Sequence, residues 1–158
     1  MGSGILAARR SRRAAPLLGG IVVALASRTV QGQDAVQFQA APGSLIVNAA
    51  VAGSPPTTVS TATARYRVKV ASGTTKQLKA SINSAMPAGV TMQISVVAPP
   101  GGTSAGTITL TTTPQTVVTN ITNTSFSANL TVTYTLSATS AAGVVASANK
   151  TVTFAVTP

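Results

Sequence analysis

The stretch of sequence that decides the fold runs from Phe126 to Ala138 and reads FSANLTVTYTLSA. Apolar and polar residues alternate through the whole stretch, which is the two-residue period of a β-strand with one buried face. The inward set comprises Phe126, Ala128, Leu130, Val132, Tyr134, Leu136 and Ala138. The pattern therefore predicts a long strand that packs one face on a core.

Similar alternation recurs along the chain, separated by breaks rich in Gly and Pro. Further strands are expected at Ala35–Gln39, Ser44–Ala49, Thr91–Val97, Thr107–Thr111, Thr116–Ile121 and Thr151–Val156. No segment after residue 32 has the apolar stripe of an amphipathic helix. Short strands at this spacing predict an all-β domain, an immunoglobulin-like antiparallel β-sandwich of about seven to nine strands.

Two hairpins are expected from the same patterns. Residues 65–71 and 77–83 alternate on either side of Ser72-Gly73-Thr74-Thr75, a run of turn-forming residues. Pairing the two arms would place Lys69 opposite Lys79 on the outer face. The second hairpin would join Phe126–Ala138 to Thr151–Val156 through a turn at 141–143.

The first 32 residues have the order of an export signal. Basic residues at 9–13 precede an apolar run from Ala14 to Ala26, and a small, polar stretch ends at Gly32. The run is shorter than the roughly 20 apolar residues of a membrane-spanning helix, so no stable span is expected after cleavage. We expect cleavage after Ala26 or after Gly32, with a mature domain at 33–158 in the extracellular space, at the cell surface or in the periplasm. The alternative is a basic tail on a cytosolic protein, binding RNA.

The net charge of +10 is concentrated in this leader. The chain has eleven Lys or Arg and a single acid, Asp34. Five of the cations lie in the first 28 residues: Arg9, Arg10, Arg12, Arg13 and Arg28. The mature domain would be only moderately basic, and it lacks the exposed aromatic residues that stack on nucleic acid bases. Nucleic acid is therefore not an expected partner.

The residue inventory excludes most catalysis. General acid and base chemistry relies mainly on His, Asp, Glu, Lys, Tyr and Cys, and this chain has no His, no Cys and one acid. Zinc and calcium sites need several ligands from the same short inventory. We expect no enzyme, no cofactor and no metal site. A Ser-Lys pair that uses Lys76 or Lys79 stays formally possible, although no motif surrounds either residue.

Two sets of residues are candidates for a functional surface. The first is a basic face that would meet an anionic partner, made of Arg65, Arg67, Lys69 and Lys79. The second is a segment that would exchange strands with a neighbouring copy, carried by Val36, Phe38, Leu45 and Val47. Exchange is favoured because an exported chain with no disulfide and five aromatic residues has a thin core.

Several motifs resemble those of short, secreted, uncharacterised bacterial proteins. They are Ser84–Val90 (SAMPAGV), Ala98–Gly106 (APPGGTSAG), Val118–Ile121 (VTNI) and Tyr134–Ala138 (YTLSA). More loosely, the leader, the size and Thr151–Val156 (TVTFAV) are similar to fimbrial and spore-coat-U-like pilin subunits. That resemblance implies an immunoglobulin-like sandwich that exchanges strands between subunits, here without the Cys pair usual in those proteins.

Together these features predict an exported structural or adhesive cell-surface protein, a pilin-like fibre subunit that assembles with itself through edge strands. The alternative function is a secreted carbohydrate- or anionic-polymer-binding module whose partner would be a cell-surface glycan. Sugar-binding platforms usually expose aromatic rings. Exposure of Tyr66 or Tyr134 would therefore favour the alternative.

Overall fold

A computed structural model of the 158-residue chain describes residues 22–27, 34–47, 56–126, 129–142 and 145–158. Within these ranges most residues belong to β-strands and none to an α-helix, which confirms the predicted all-β class. The strands are β1 (Val22–Ser27), β2 (Ala35–Ala40), β3 (Val59–Ile82), β4 (Val90–Val96), β5 (Thr103–Ser104), β6 (Thr107–Thr109), β7 (Gln115–Thr124), β8 (Leu130–Ala138) and β9 (Asn149–Thr157). One turn of 3-10 helix, Ser140–Ala142, follows β8.

The 24-residue strand β3 organises the sheet. Its first portion, residues 59–70, pairs with β2 and β8, and its second portion, residues 75–82, pairs with β7 and β9. Between the portions the register with β7 shifts, and Gly73 takes a φ of 81°. An irregularity of this kind bends a strand and increases its twist. β3 therefore carries the sheet from one side of the core to the other.

The predicted hairpin over Ser72-Gly73-Thr74-Thr75 is wrong, because the chain continues through these residues without reversing. The left-handed conformation of Gly73 produces a bend in one strand, where the sequence pattern suggested a turn between two. Each portion of β3 then has partner strands on both sides, which satisfies more backbone groups than a two-stranded hairpin would.

The predicted C-terminal hairpin is also wrong. β8 pairs with β3 and β4, whereas β9 pairs with β1 and the second portion of β3. Both edges of β8 are thus occupied, and none is left for β9. Strand β8 begins at Leu130, whereas the sequence predicted a strand from Phe126. Residues 127–128 lie outside the described part of the chain.

The remaining strand predictions are largely confirmed. β2, β4, β6, β7 and β9 fall where alternation placed them. Six of the residues predicted to face inward from β4 and β8 are buried: Met92, Ile94, Val96, Val132, Tyr134 and Leu136. Three others from the β8 stretch are only partly buried: Phe126, Leu130 and Ala138. Within Ser44–Ala49 the described residues contain only a single bridge, at Leu45. Residues 48–55 of that region lie outside the described part.

The described strands form one curled sheet in which neighbours run antiparallel, except that β1 runs parallel to β9. The two portions of β3 and their partner strands face a shared hydrophobic core. Its largest side chains are Tyr66, Tyr134 and Phe154, each no more than 1% exposed. Tyr66 donates its hydroxyl hydrogen bond to the carbonyl oxygen of Val97 at 2.7 Å. The core thus depends on three large rings amid small aliphatic residues.

Stability should fall at alkaline pH because of the two buried tyrosines. Burial raises the pKa of both Tyr66 and Tyr134 above the ordinary value of 10.0. The two tyrosines contribute fully to the free energy of unfolding below pH 10. Above pH 10 the unfolded chain loses the hydroxyl protons while the folded chain retains them, so the free energy of unfolding declines. Urea unfolding measured from about pH 9 to pH 11 should show a loss of up to about 1.4 kcal/mol per tyrosine per pH unit above pH 10.

The control for this pH dependence is the double variant Tyr66→Phe/Tyr134→Phe, which has no hydroxyls to ionise at these positions. Its unfolding free energy should change less over the same pH range. Equal slopes for the two chains would show that the tyrosines do not cause the alkaline loss.

Candidate functional site

The segment predicted to exchange strands lies at the periphery of the sheet, yet it supplies side chains to the core. Among the described strands β2 pairs only with β3, with Val36 opposite Val68 and Phe38 opposite Tyr66. Val36 and Leu45 are buried, and Phe38 and Val47 are partly buried against the same core. The four residues singled out from the sequence therefore all contact the core from a peripheral segment: Val36, Phe38, Leu45 and Val47.

Phe38 connects β2 to both sides of the curled sheet. Its ring centroid lies 4.8 Å from that of Phe154 in β9 and 6.5 Å from that of Tyr66 in β3. Tilted aromatic pairs at these separations contribute about 0.5–1.5 kcal/mol beyond their burial. β2 is therefore held by side-chain packing as well as by its ladder with β3.

Asp34, the single acid of the chain, fixes the start of β2 at the bend of β3. Its Oδ1 accepts a hydrogen bond from the backbone N–H of Ala71 at 2.9 Å, and its Oδ2 lies 3.5 Å from Nζ of Lys76. Both side chains of the ion pair are partly shielded from solvent, 24% and 20% exposed. Asp34 thus bridges the two portions of β3 and marks where a departing β2 would have to detach.

Two of the four predicted basic residues are engaged within the chain. Nη1 of Arg65 donates to the carbonyl oxygens of Ala62 and Ala64. Nε of Arg67 donates to Oε1 of Gln37 at 3.0 Å, and its guanidinium lies 5.1 Å from the ring centroid of Phe126. These contacts use donors that an anionic partner would need.

The four cations do not form one cluster. Arg65, Arg67 and Lys69 lie on the first portion of β3 and Lys79 on the second, so the predicted juxtaposition of Lys69 with Lys79 is wrong. The bend of β3 at Gly73 lies between Lys69 and Lys79. Lys69 is exposed and Lys79 is half-buried. The part of the predicted basic face that the fold keeps together is the trio on the first portion.

Neither tyrosine offers a platform for a sugar ring, because Tyr66 and Tyr134 are both 0% exposed. Phe126 is a partly exposed aromatic residue, and the guanidinium of Arg67 already lies over its ring. This geometry gives little support to glycan binding by aromatic stacking.

A buried lysine that the sequence interpretation missed lies at the start of β9. Lys150 is 6% exposed, and its Nζ donates to Oγ of Ser84 at 2.8 Å and to the carbonyl oxygens of Ser84 and Ala85 at 3.4 and 2.6 Å. The sequence did carry a signal, because Lys150 shares the inward parity of Val152 and Phe154. An alternating strand with a cation on its inner face predicts a polar partner nearby.

The Ser84–Lys150 contact suits an anchor better than a nucleophile. A lysine that activates serine must accept the hydroxyl proton on a neutral amine. Here Nζ is the donor to Oγ of Ser84 and to the carbonyl oxygens of Ser84 and Ala85. The arrangement fastens residues 84–85 to β9. Lys76, one of the two lysines considered for such a pair, contacts Asp34 instead.

A shallow polar cavity of about 180 Å³ lies beside the second portion of β3. It is lined by Thr75, Lys76, Gln77, Thr119, Asn120 and Pro158. Sites for drug-sized ligands usually enclose about 300–1,000 Å³ with mostly apolar walls. This cavity is smaller than such sites, and five of its six lining residues have polar side chains.

The described residues contain no cluster of three or more side chains from His, Cys, Asp and Glu that could hold a metal ion. Among the same residues no helix is long and apolar enough to cross a membrane. Comparisons of the chain with protein-family models, with curated proteins and with solved structures found no match.

Proposed function

We propose that this chain is an exported structural or adhesive surface protein, whose mature part from residue 33 onward is an immunoglobulin-like β-sandwich that assembles with other copies by exchanging the segment around β2. The observation that carries the proposal is the position of that segment. Strand β2 pairs with β3 alone among the described strands, and the segment still provides Val36, Phe38 and Leu45 to the core.

Exchange follows from the contacts that β2 makes. If β2 leaves, the first portion of β3 loses one hydrogen-bonded neighbour, and the core loses the ring packed on Phe154. The same segment of another copy would restore every one of these contacts in the same register. Exchange of identical elements is a low-cost route to association, because the closed monomer and the exchanged assembly have the same local contacts. Repetition from copy to copy would build a fibre.

The proposed role is not catalytic. The chain has one acid, and that carboxylate is committed to the Ala71 amide and to Lys76. The buried lysine is bound to three oxygens of residues 84–85. A protein that works by backbone pairing needs neither a proton-transfer group nor a cofactor.

The proposal treats residues 1–32 as a leader that is removed on export. Its test uses a cleavable chain, the full chain with a specific protease site inserted between Gly32 and Gln33. The cut protein should associate as its concentration rises, as measured by light scattering. Electron microscopy of the same sample should show filaments.

The exchange itself is tested with the cleavable chain carrying Gln37→Cys and Arg67→Cys. These positions are Cα partners across β2 and β3, and the native chain has no cysteine. Cα atoms of paired strands are close enough for a disulfide. After concentration, oxidation should give covalent multimers, because each disulfide then joins two copies. Oxidation before concentration should give only intrachain disulfides, and these locked chains should no longer build fibres by exchange of β2.

The matched control is Lys79→Cys with Ala155→Cys, a pair of Cα partners across β3 and β9 that exchange leaves within one copy. This variant should give only intrachain disulfides, whether it is oxidised before or after concentration. If the Gln37→Cys/Arg67→Cys chain also gives only intrachain disulfides while the cut protein stays monomeric by light scattering, the proposal is wrong.

A further inference from the structure

The strand β1 occupies one edge of β9, and it lies inside the predicted leader. Val22 to Ser27 run parallel to Asn149 to Phe154, one residue against one along the whole length. On its other side β9 pairs with the second portion of β3. Removal of residues 1–32 would therefore uncover the β1 side of β9 while the β3 side stays paired.

The ladder with β3 identifies the backbone groups that β1 covers. The N–H of Asn83 donates to the carbonyl oxygen of Thr151 at 3.0 Å, and the N–H of Thr151 donates to Oδ1 of Asn83 at 3.0 Å. The backbone groups of Thr151 thus point toward β3. Because successive residues of a strand point their backbone groups to opposite sides, those of Lys150, Val152 and Phe154 point toward β1.

Without β1 this edge has neither a proline nor an outward charge, and it is not short. Natural sheets blunt exposed edges with very short strands, prolines or outward charges. The peripheral strands β5 and β6 have two and three residues. Asn149–Phe154 has six residues and no proline, and its one charge, Lys150, is directed into the contacts with residues 84–85.

We propose that leader removal turns the outer edge of β9 into a docking surface for a second copy of this chain, with the two β9 strands antiparallel about a two-fold axis at Val152. Val152 then pairs with its own counterpart, and Lys150 of each copy pairs with Phe154 of the other. In each copy the backbone groups of Lys150, Val152 and Phe154 point toward the uncovered edge. Together the two copies would form about six backbone hydrogen bonds through them. Thr151 of each copy faces Thr153 of the other on the outer surface, a favourable cross-strand pair.

A second copy is the occupant that this geometry favours. One cut uncovers the same edge on every copy, so two complementary edges appear together and neither strand has to leave its own sheet. A symmetric pair is also the commonest form of association between identical subunits. This inference rests on the proposed function, because it assumes that the leader is removed, and it adds a second contact to the exchange of β2.

The test uses the cleavable chain in two single-cysteine forms, Thr151→Cys and Thr153→Cys. Mixed in equal amounts, cut and oxidised, they should form disulfide-linked dimers between the two forms, since facing residues in this pairing have Cα atoms roughly 4.5 Å apart. Each form alone should give at least about tenfold fewer disulfide-linked dimers. Its two cysteines would be diagonal neighbours with Cα atoms roughly 8 Å apart, which is too far for a disulfide. The uncut mixture should also form few disulfide-linked dimers, because β1 still covers the edge of β9.

Hydrogen exchange of the cleavable chain without cysteines supplies an independent readout. The amides of Lys150, Val152 and Phe154 should be protected in the uncut protein. They should exchange at least about tenfold faster in dilute cut protein, once mass spectrometry shows that the leader fragment is gone, and regain protection at high concentration. The amide of Thr151, which faces β3, is the internal reference and should change little.

Three results would overturn the inference: equal cross-linking in the mixed and single samples, unprotected Val152 and Phe154 amides in the uncut chain, or a cut leader fragment that never leaves β9. None of these depends on β2. If multimers linked through Gln37→Cys and Arg67→Cys still form, exchange stands and only the β9 contact is wrong. Absence of association in every cut sample would remove both.

Discussion

Replacement of Gly89 by alanine is expected to destabilise the fold by about 3 kcal/mol, through backbone strain and overpacking together. Gly89 has a φ of 73°, in the left-handed region that side chains disfavour. A Cβ atom there would lie 2.8 Å from Oγ1 of Thr139 and 2.9 Å from both Cα and N of Ala142. Because Ala142 would meet it with backbone atoms, a side-chain rotation cannot remove the clash.

The matched control for Gly89→Ala is Gly106→Ala. Gly106 has a similar φ of 77°, but a Cβ atom there would find nothing within 4 Å. Gly106→Ala should therefore lower the free energy of unfolding only by the conformational strain, about 1 kcal/mol. Urea unfolding of both full-length variants gives the comparison. Equal losses would mean that the close approach of Gly89 to the 3-10 helix at Ser140–Ala142 contributes nothing to stability.

Replacement of Phe154 by alanine is expected to cost about 3–5 kcal/mol, the usual range for a large aromatic ring removed from a core. Phe154 is 1% exposed and packs against Phe38 across the core. Few large side chains are available to fill the resulting cavity, because aromatic residues make up 3% of the chain. The measurement is the free energy of unfolding in urea, with an unchanged denaturant slope as evidence of two-state behaviour.

Phe154→Leu is the matched control, since it keeps most of the apolar volume and should cost about 1.5 kcal/mol. Combination of Phe154→Ala with Phe38→Ala measures the coupling between β9 and β2, expected at about 0.5–1.5 kcal/mol. Additive losses would contradict the packing of these two rings. The coupling also bears on assembly, because exchange of β2 would make this ring pair a contact between copies.

Alternation predicted strands well and their partners poorly. The inward residues of β4 and β8 were identified correctly because each strand has one face on the core and one toward solvent. The two hairpins were wrong because adjacency in sequence was taken as adjacency in the sheet. β8 and β9 both pair with β3, but with different portions of it.

The candidate site was predicted in the same uneven way. Val36, Phe38, Leu45 and Val47 contact the core, as their alternation suggested. Lys150 was overlooked although its parity placed it on the inner face of β9. Its partners are two residues far away in sequence, at 84 and 85, and only the folded chain brings them together.

What the sequence by itself determined is the β character of the chain and the side of each strand that is buried, since a two-residue period acts locally. The lack of His and Cys and the single acid likewise limit the available chemistry before any folding. Only the tertiary structure decided that residues 72–74 bend one strand, and that β1 lies on β9. Strand pairing depends on which backbone groups remain unpaired once the whole sheet has curled around its core, and a local pattern does not contain that information.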